Sequence, residues 1–225
     1  MTMRISRYTA VIFDMDGLML DTERLGKRSM LAAANELGLV MPDDLYSRLI
    51  GRNSRDNRVE LLEVYGQEST VSQLQAASRR YYEAEIQSGK LLKMRGLDAL
   101  LHFLEKHGCP KAVATSTSNA TARYKLEQTE LLQRFASITT GDQILHGKPA
   151  PDIYLLAASR LGVDPKNCLA LEDSPQGSRS AHAAGMDVCV IPDLIEPPED
   201  VVQFARGIFD DLDKVREWLE EIEGK

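Results

Sequence analysis

The sequence predicts an α/β fold, a doubly wound parallel sheet interrupted after its first strand by an inserted helical domain. Three observations carry this expectation. Short apolar runs recur at 10–13, 112–114, 137–140, 168–171 and 188–191, and runs of this length and character fit parallel strands buried on both faces. From about residue 96 onward helical periods separate the runs, and strand–helix alternation of that kind builds a parallel sheet. Between the first two runs lies an interval, 21–92, with helical patterns and few strand signals. It is too long for an ordinary crossover.

In chain order, Ala10-Val11-Ile12-Phe13 leads straight into Asp14-Met15-Asp16-Gly17. Met30, Ala33, Ala34 and Leu37 form a helical stripe closed by Gly38. Leu45, Leu49, Val59, Leu61, Leu62 and Val64 continue the helical pattern, and Tyr81–Ile86 belongs to a further helix. Leu97, Leu100, Leu101 and Leu104 stand at i, i+3, i+4 and i+7 with Gly108 as a stop. Tyr154, Ala157, Ala158 and Leu161 repeat that spacing, with Pro151 and Asp152 suited to a first turn and Gly162 beyond the end. The tail 211–223 reads as a closing amphipathic helix. These boundaries give a core of 1–20 plus 93–225 and a helical domain of 21–92, expected to act as a lid over the strand tips. A separate helical binding module is the competing expectation.

Composition narrows the function. The chain has 225 residues, 43% of them hydrophobic, and a formal net charge of −7, which disfavours nucleic acid or an anionic membrane surface as the main partner. No apolar run approaches the roughly 20 residues of a membrane span. The N-terminus lacks the apolar centre of a signal peptide. Cys109, Cys168 and Cys189 are scattered, odd in number and without C-x-x-C spacing, so neither a disulfide framework nor a zinc site is indicated. A cytoplasmic location is the default expectation.

Four polar segments fall at or just past strand ends. Asp14 and Asp16 follow the first run, Thr115-Ser116-Thr117-Ser118-Asn119 the second, and Glu172-Asp173-Ser174 the fourth. Gly147-Lys148-Pro149-Ala150-Pro151-Asp152 lies between the third run and its helix. In a doubly wound sheet these ends share one edge, where ligands gather. Two carboxylates separated by one residue point to opposite faces of a strand, but a Gly after them allows a turn that seats both at the tip. Each segment alone has a plainer reading. D-x-D-G is equally an acidic turn, Ser116 a helix cap, Lys148 a solvated loop lysine, and Asp173-Ser174-Pro175 a helix start. Four such coincidences at four strand ends point instead to phosphoryl transfer. An Asp attacks phosphorus, a second Asp exchanges protons, acids from two strands hold Mg²⁺, and Ser and Lys bind phosphoryl oxygens.

Val11-Ile12-Phe13-Asp14-Met15-Asp16-Gly17 with Leu20-Asp21-Thr22-Glu23, then Ala114-Thr115-Ser116, Lys148-Pro149-Ala150-Pro151-Asp152 and Leu171-Glu172-Asp173-Ser174, resemble in order the four motifs of the haloacid dehalogenase superfamily, in the β-phosphoglucomutase-like branch with a helical cap. The resemblance implies that Asp14 is nucleophile and metal ligand. Asp16 would be general acid/base and a metal ligand through its carbonyl. Asp173 would be a metal ligand, and Glu172 a ligand or its supporting partner. Ser116 and Lys148 would hold the transferred phosphoryl group, and Mg²⁺ would be the cofactor. The second Asp separates the chain from dehalogenases proper. Sugar phosphomutases of this branch carry a cap His where this chain has Gly26, and a cap Arg in a stretch similar to Gly51-Arg52-Asn53-Ser54-Arg55. Arg52 and Arg55 flank that Arg position, and are the cap candidates for substrate contact. Lys27 is a weak counterpart of a phosphonate hydrolase's Schiff-base lysine. The expectation is therefore hydrolysis of a small phosphate monoester, of the sugar or nucleoside phosphate class. A phosphomutase, and a non-catalytic binding protein on the same fold, are the alternatives. Asp21 and Thr22 are expected at the hinge between core and cap, or as a plain helix cap. His146 is near Lys148 in sequence but is not expected to act.

Overall fold

The computed structural model describes residues 5, 7–42, 44–49 and 54–224; of these, the side chains of Ser47, Ser54, Arg55 and Asp56 lie outside the description. The chain divides into two compact units, Met1–Leu20 with Lys93–Lys225, and Asp21–Leu92.

β1 (Ala10–Phe13) precedes the helical unit, whose elements are α1 (Thr22–Glu36), α2 (Leu45–Leu49), α3 (Ser54–Tyr65) and α4 (Glu68–Gln87). Its core joins Ala33 and Ala34 of α1 to Leu45 and Leu49 of α2, Leu61 of α3, and Val71, Leu74 and Ala77 of α4. Burial of these side chains holds the unit, because each helix has one apolar stripe to remove from water. Ion pairs Arg28–Glu85, at 3.2 Å, and Arg80–Glu36 join α1 to α4 across the solvent side, where they add little. Val59 departs from the helical stripe and is exposed. Asp21 precedes α1 but makes no cap hydrogen bond; its carboxylate accepts from Arg24 at 3.1 Å.

In the second unit the chain continues through α5 (Leu97–Lys106), β2 (Lys111–Thr115), α6 (Asn119–Gln128), β3 (Ser137–Thr140), α7 (Asp152–Leu161), β4 (Cys168–Glu172), α8 (Pro175–Ala183), β5 (Asp187–Val190), α9 (Glu199–Phe204), β6 (Gly207–Ile208) and α10 (Leu212–Glu223). The strands lie in the order β3-β2-β1-β4-β5-β6, and every pairing is parallel. β6 has only two residues, too few to give an apolar run, and the sequence did not mark it. All residues of β1, β2 and β4 are buried, as a strand covered on both faces requires. On one face Ala10, Ile12, Ala112, Ala114 and Ala170 pack with Ile153, Tyr154, Ala157 and Ala158 of α7. On the other face Phe13 meets Phe135 edge-on at 5.6 Å. Ser174 caps α8 by accepting from the Gly177 N–H at 3.1 Å, with Pro175 at the first helical position. Asp211 caps α10 by accepting from the Lys214 N–H at 3.0 Å. Because β3, β2, β1 and β4 are consecutive neighbours, the segments after them lie side by side along one edge.

Candidate active site

Asp14 is the first residue past β1, and its N–H donates to Leu171 O of β4 at 3.0 Å, which keeps it beside the end of β4. Gly17 then turns the chain with φ +88°, a region open to Gly at no steric cost. A Cβ there would also overlap the Asp173 carboxylate. The D-x-D-G pattern is thus a turn and a site at once, and the Gly serves both.

Asp14, Glu172 and Asp173 each offer a carboxylate oxygen, and these atoms lie within 4.8 Å of one another. Lys148, in the loop between β3 and α7, donates to Asp14 Oδ1 and Glu172 Oε1, both at 2.5 Å. Glu172 is fully buried and takes donors from two further residues. Tyr154 Oη donates to Oε1 at 2.6 Å, and Ser174 Oγ to Oε2 at 3.1 Å. Gly177 makes room for this carboxylate, since a Cβ at 177 would overlap both of its oxygens.

The electrostatics follow from two buried acids, Asp14 and Glu172, and a half-buried third, Asp173, near one ammonium. Desolvation raises Asp14 from 3.8 to about 7, against the pull of Lys148 and with the push of Glu172. Desolvation, with the charges of Asp14 and Glu172, also holds Asp173 well above the usual carboxylate range. For Lys148 desolvation favours the neutral amine, but Asp14 and Glu172 outweigh it and keep the lysine charged. Surplus buried negative charge is costly unless neutralised. A divalent cation balances it, and an all-oxygen donor set suits a hard one.

The acid/base candidate Asp16 stands apart from this cluster in its contacts. Its Oδ2 accepts from Thr117 Oγ1 at 2.6 Å, and its Oδ1 from Lys125 Nζ at 2.7 Å. Ser116 follows β2 and is exposed; its backbone carbonyl lies against Gly141, where a Cβ would overlap it. The structure therefore gathers Asp14, Glu172, Asp173 and Lys148 into one contact network and supports Asp16 from β2 and α6. Arg52 lies outside the described residues, and Arg55 is on α3 with its side chain outside them. Glu172 belongs to the carboxylate cluster, and hydrogen bonds from Lys148, Tyr154 and Ser174 engage both of its oxygens. His146 pairs with Asp152 at 3.1 Å.

The sequence places Thr117 in a strand-end polar segment without a role of its own, and singles out neither Tyr154 nor Lys125 for the site. By spacing alone Tyr154 belongs to a helical stripe, yet a buried tyrosine must place its hydroxyl, and that is the available signal. Lys125 stands in the polar stretch Arg123-Tyr124-Lys125-Leu126-Glu127, where nothing distinguishes a buried lysine from a solvated one.

Residues 11–191 match the family described as haloacid dehalogenase-like hydrolase. The chain belongs to this hydrolase family. It is 34% identical over 179 residues to the phosphorylated carbohydrates phosphatase of Thermotoga maritima, covering 79% of this chain and 82% of that one. It is 32% identical over 182 residues to the fructose-1-phosphate phosphatase YqaB of Escherichia coli, covering 80% of this chain and 95% of the relative. Among solved structures it is similar to CbbY from Rhodobacter sphaeroides in complex with phosphate, at TM-score 0.75 and 26% identity, covering 92% and 95% of the two chains. Among the described residues no helix is long and apolar enough to cross a membrane.

Proposed function

We propose that this hydrolase is a Mg²⁺-dependent phosphatase of small phosphate monoesters, of the sugar or nucleoside phosphate class, working through an aspartyl phosphate on Asp14. The observation that carries the reading is the grouping of Asp14, Glu172 and Asp173, with Lys148 bonded to the first two. The names of the relatives support the same reaction class.

Asp14 and Asp173 would hold Mg²⁺, together with the backbone carbonyl of Asp16. When bound, the ion neutralises charge on the transferring phosphoryl group and favours the ionised carboxylates. The Asp14 carboxylate oxygen attacks phosphorus, the bond from phosphorus to the ester oxygen breaks, and Asp16 gives its proton to the departing alkoxide. In the second step the Asp16 carboxylate takes a proton from water, whose oxygen attacks phosphorus. Inorganic phosphate leaves and the Asp14 carboxylate is restored. Lys148 and Ser116 bind phosphoryl oxygens. Glu172, anchored by Tyr154 and Ser174, orients Lys148.

The helical unit supplies leaving-group recognition in this reading, with Arg52 and Arg55 as candidates. Hydrolysis is favoured over phosphomutase action by Gly26. A Cβ there would stand 2.5 Å from Tyr46 Oη, whose hydroxyl donates to Glu23 O at 2.8 Å. A side chain at the position of the mutase histidine would therefore require Tyr46 to move.

The test is phosphate release from a panel of sugar phosphates, nucleotides and p-nitrophenyl phosphate, with Mg²⁺ and with EDTA, beside Asp14→Asn. The expected result is Mg²⁺-dependent release that Asp14→Asn loses while retaining its fold by circular dichroism. Release by the purified variant equal to wild type removes Asp14 as nucleophile. Absence of release from every ester removes the phosphatase reading.

A further inference from the structure

Lys125 projects from α6 and is buried, 5% exposed. Burial of an ammonium is unfavourable unless an opposite charge and hydrogen bonds compensate it. The nucleophile's cluster has its own ammonium in Lys148. Lys125 instead donates to Asp16 Oδ1 at 2.7 Å. The other edge of the same carboxylate accepts from Thr117 Oγ1 at 2.6 Å and Thr115 Oγ1 at 3.4 Å. The loop behind these hydroxyls is itself tied, since the Thr117 N–H donates to Thr115 Oγ1 at 3.1 Å. Asp16 follows a strand tip and precedes a Gly turn, so its backbone leaves its side-chain torsions a choice of staggered positions. Donors on both edges of the carboxylate select one of them.

We infer that Lys125, with Thr117, is the positioning residue of the acid/base Asp16. The site divides its cations: Lys148 serves the nucleophile and the phosphoryl group, and Lys125 sets where the proton of the first step is delivered. The inference rests on the phosphatase reading and extends it to a residue outside the four motifs. Orientation of this kind matters in proportion to how much the leaving group needs a proton. An alkoxide leaving from a sugar phosphate needs it, whereas p-nitrophenolate departs without it.

The experiment compares kcat/KM, which reports the step that releases the leaving group, for Lys125→Met and wild type. The substrates are the alkyl phosphate best hydrolysed by wild type and p-nitrophenyl phosphate. The expected loss is about 10- to 100-fold on the alkyl ester, part of the 10²–10⁴ that a general acid supplies, and within about threefold on p-nitrophenyl phosphate. Thr117→Val is expected to move the ratio the same way by a smaller factor. Equal losses on both esters, or no loss on either, overturn the inference and leave the Lys125–Asp16 pair a structural ion pair. Should Lys125→Met fail to fold, Lys125→Gln and Thr117→Val decide by the same ratio. If wild type itself releases phosphate from neither ester with Mg²⁺, the phosphatase reading fails, and the inference with it.

Discussion

The two units of this chain are held together by different physics. The α/β unit places four carboxylates and two lysines, Asp14, Asp16, Glu172, Asp173, Lys125 and Lys148, at or near the ends of buried strands. Its polar groups are interlocked, and each depends on a neighbour for charge balance. The helical unit packs an apolar core and carries ion pairs such as Arg28–Glu85 and Arg80–Glu36 on the solvent side. A substitution in the first unit therefore disturbs charge that cannot relax into water. In the second it disturbs volume, or a contact that water replaces. Among the described residues the charged network thus lies in one unit and the apolar helical packing in the other.

The sharpest test of the contrast is Lys148→Met. Removing one phosphoryl-binding donor is expected to lower kcat by about 10²–10³-fold. Stranding the buried carboxylates is expected to destabilise the protein by about 3–5 kcal/mol, recovered in part by Mg²⁺ in a thermal melt. A variant as stable as wild type without metal would show that the acids do not rely on Lys148.

The second expectation concerns pH. Desolvation raises Asp14 from 3.8 to about 7 in the folded protein. Between those values the folded, metal-free protein keeps a proton that the unfolded chain has released. Stability contributed by this group is present below 3.8 and falls as pH rises toward 7. Mg²⁺ favours the carboxylate, so the rise in Tm on adding Mg²⁺ should be small at about pH 5 and grow through about pH 8. A rise in Tm that is independent of pH would disconnect Asp14 from the metal.

Gly177→Ala reverses an ordinary rule. In a helix interior the change gains about 1 kcal/mol. Here the new methyl overlaps Glu172, and the expected outcome is a loss of about 1–3 kcal/mol in urea unfolding, with phosphate release reduced because Lys148 shifts with its anchor. A stabilised, fully active variant would sink this account of Glu172.

The smallest effect belongs to the helical unit. Gly26→Ala sets a methyl against Tyr46 Oη, and Tyr46→Phe removes the hydroxyl. The double variant should be more stable than the sum of the singles predicts, with a coupling of about 0.5–3 kcal/mol. Turnover of p-nitrophenyl phosphate should stay near wild type throughout. Additive stabilities would show that the two positions do not meet.

Residue pattern alone was enough for the sheet and for the positions of its polar segments. Apolar runs as short as 10–13 and 168–171 have few alternatives to buried parallel strands, and Gly17 after paired acids marks the turn. Parallel topology brings the residues that follow such strands to one edge, so Asp14, Lys148 and Asp173 are legible as a group from the sequence. β6 was not, because two residues carry no period. Which side chains touch was decided only by tertiary structure. Glu172 acts as an anchor because α7 seats on the sheet and carries Tyr154 to it. Lys125 belongs to Asp16 because α6 turns one lysine of a polar stretch inward. Local pattern reports periodicity and turn chemistry, whereas the partner of a buried charge depends on how distant segments pack, and no short stretch of sequence encodes that.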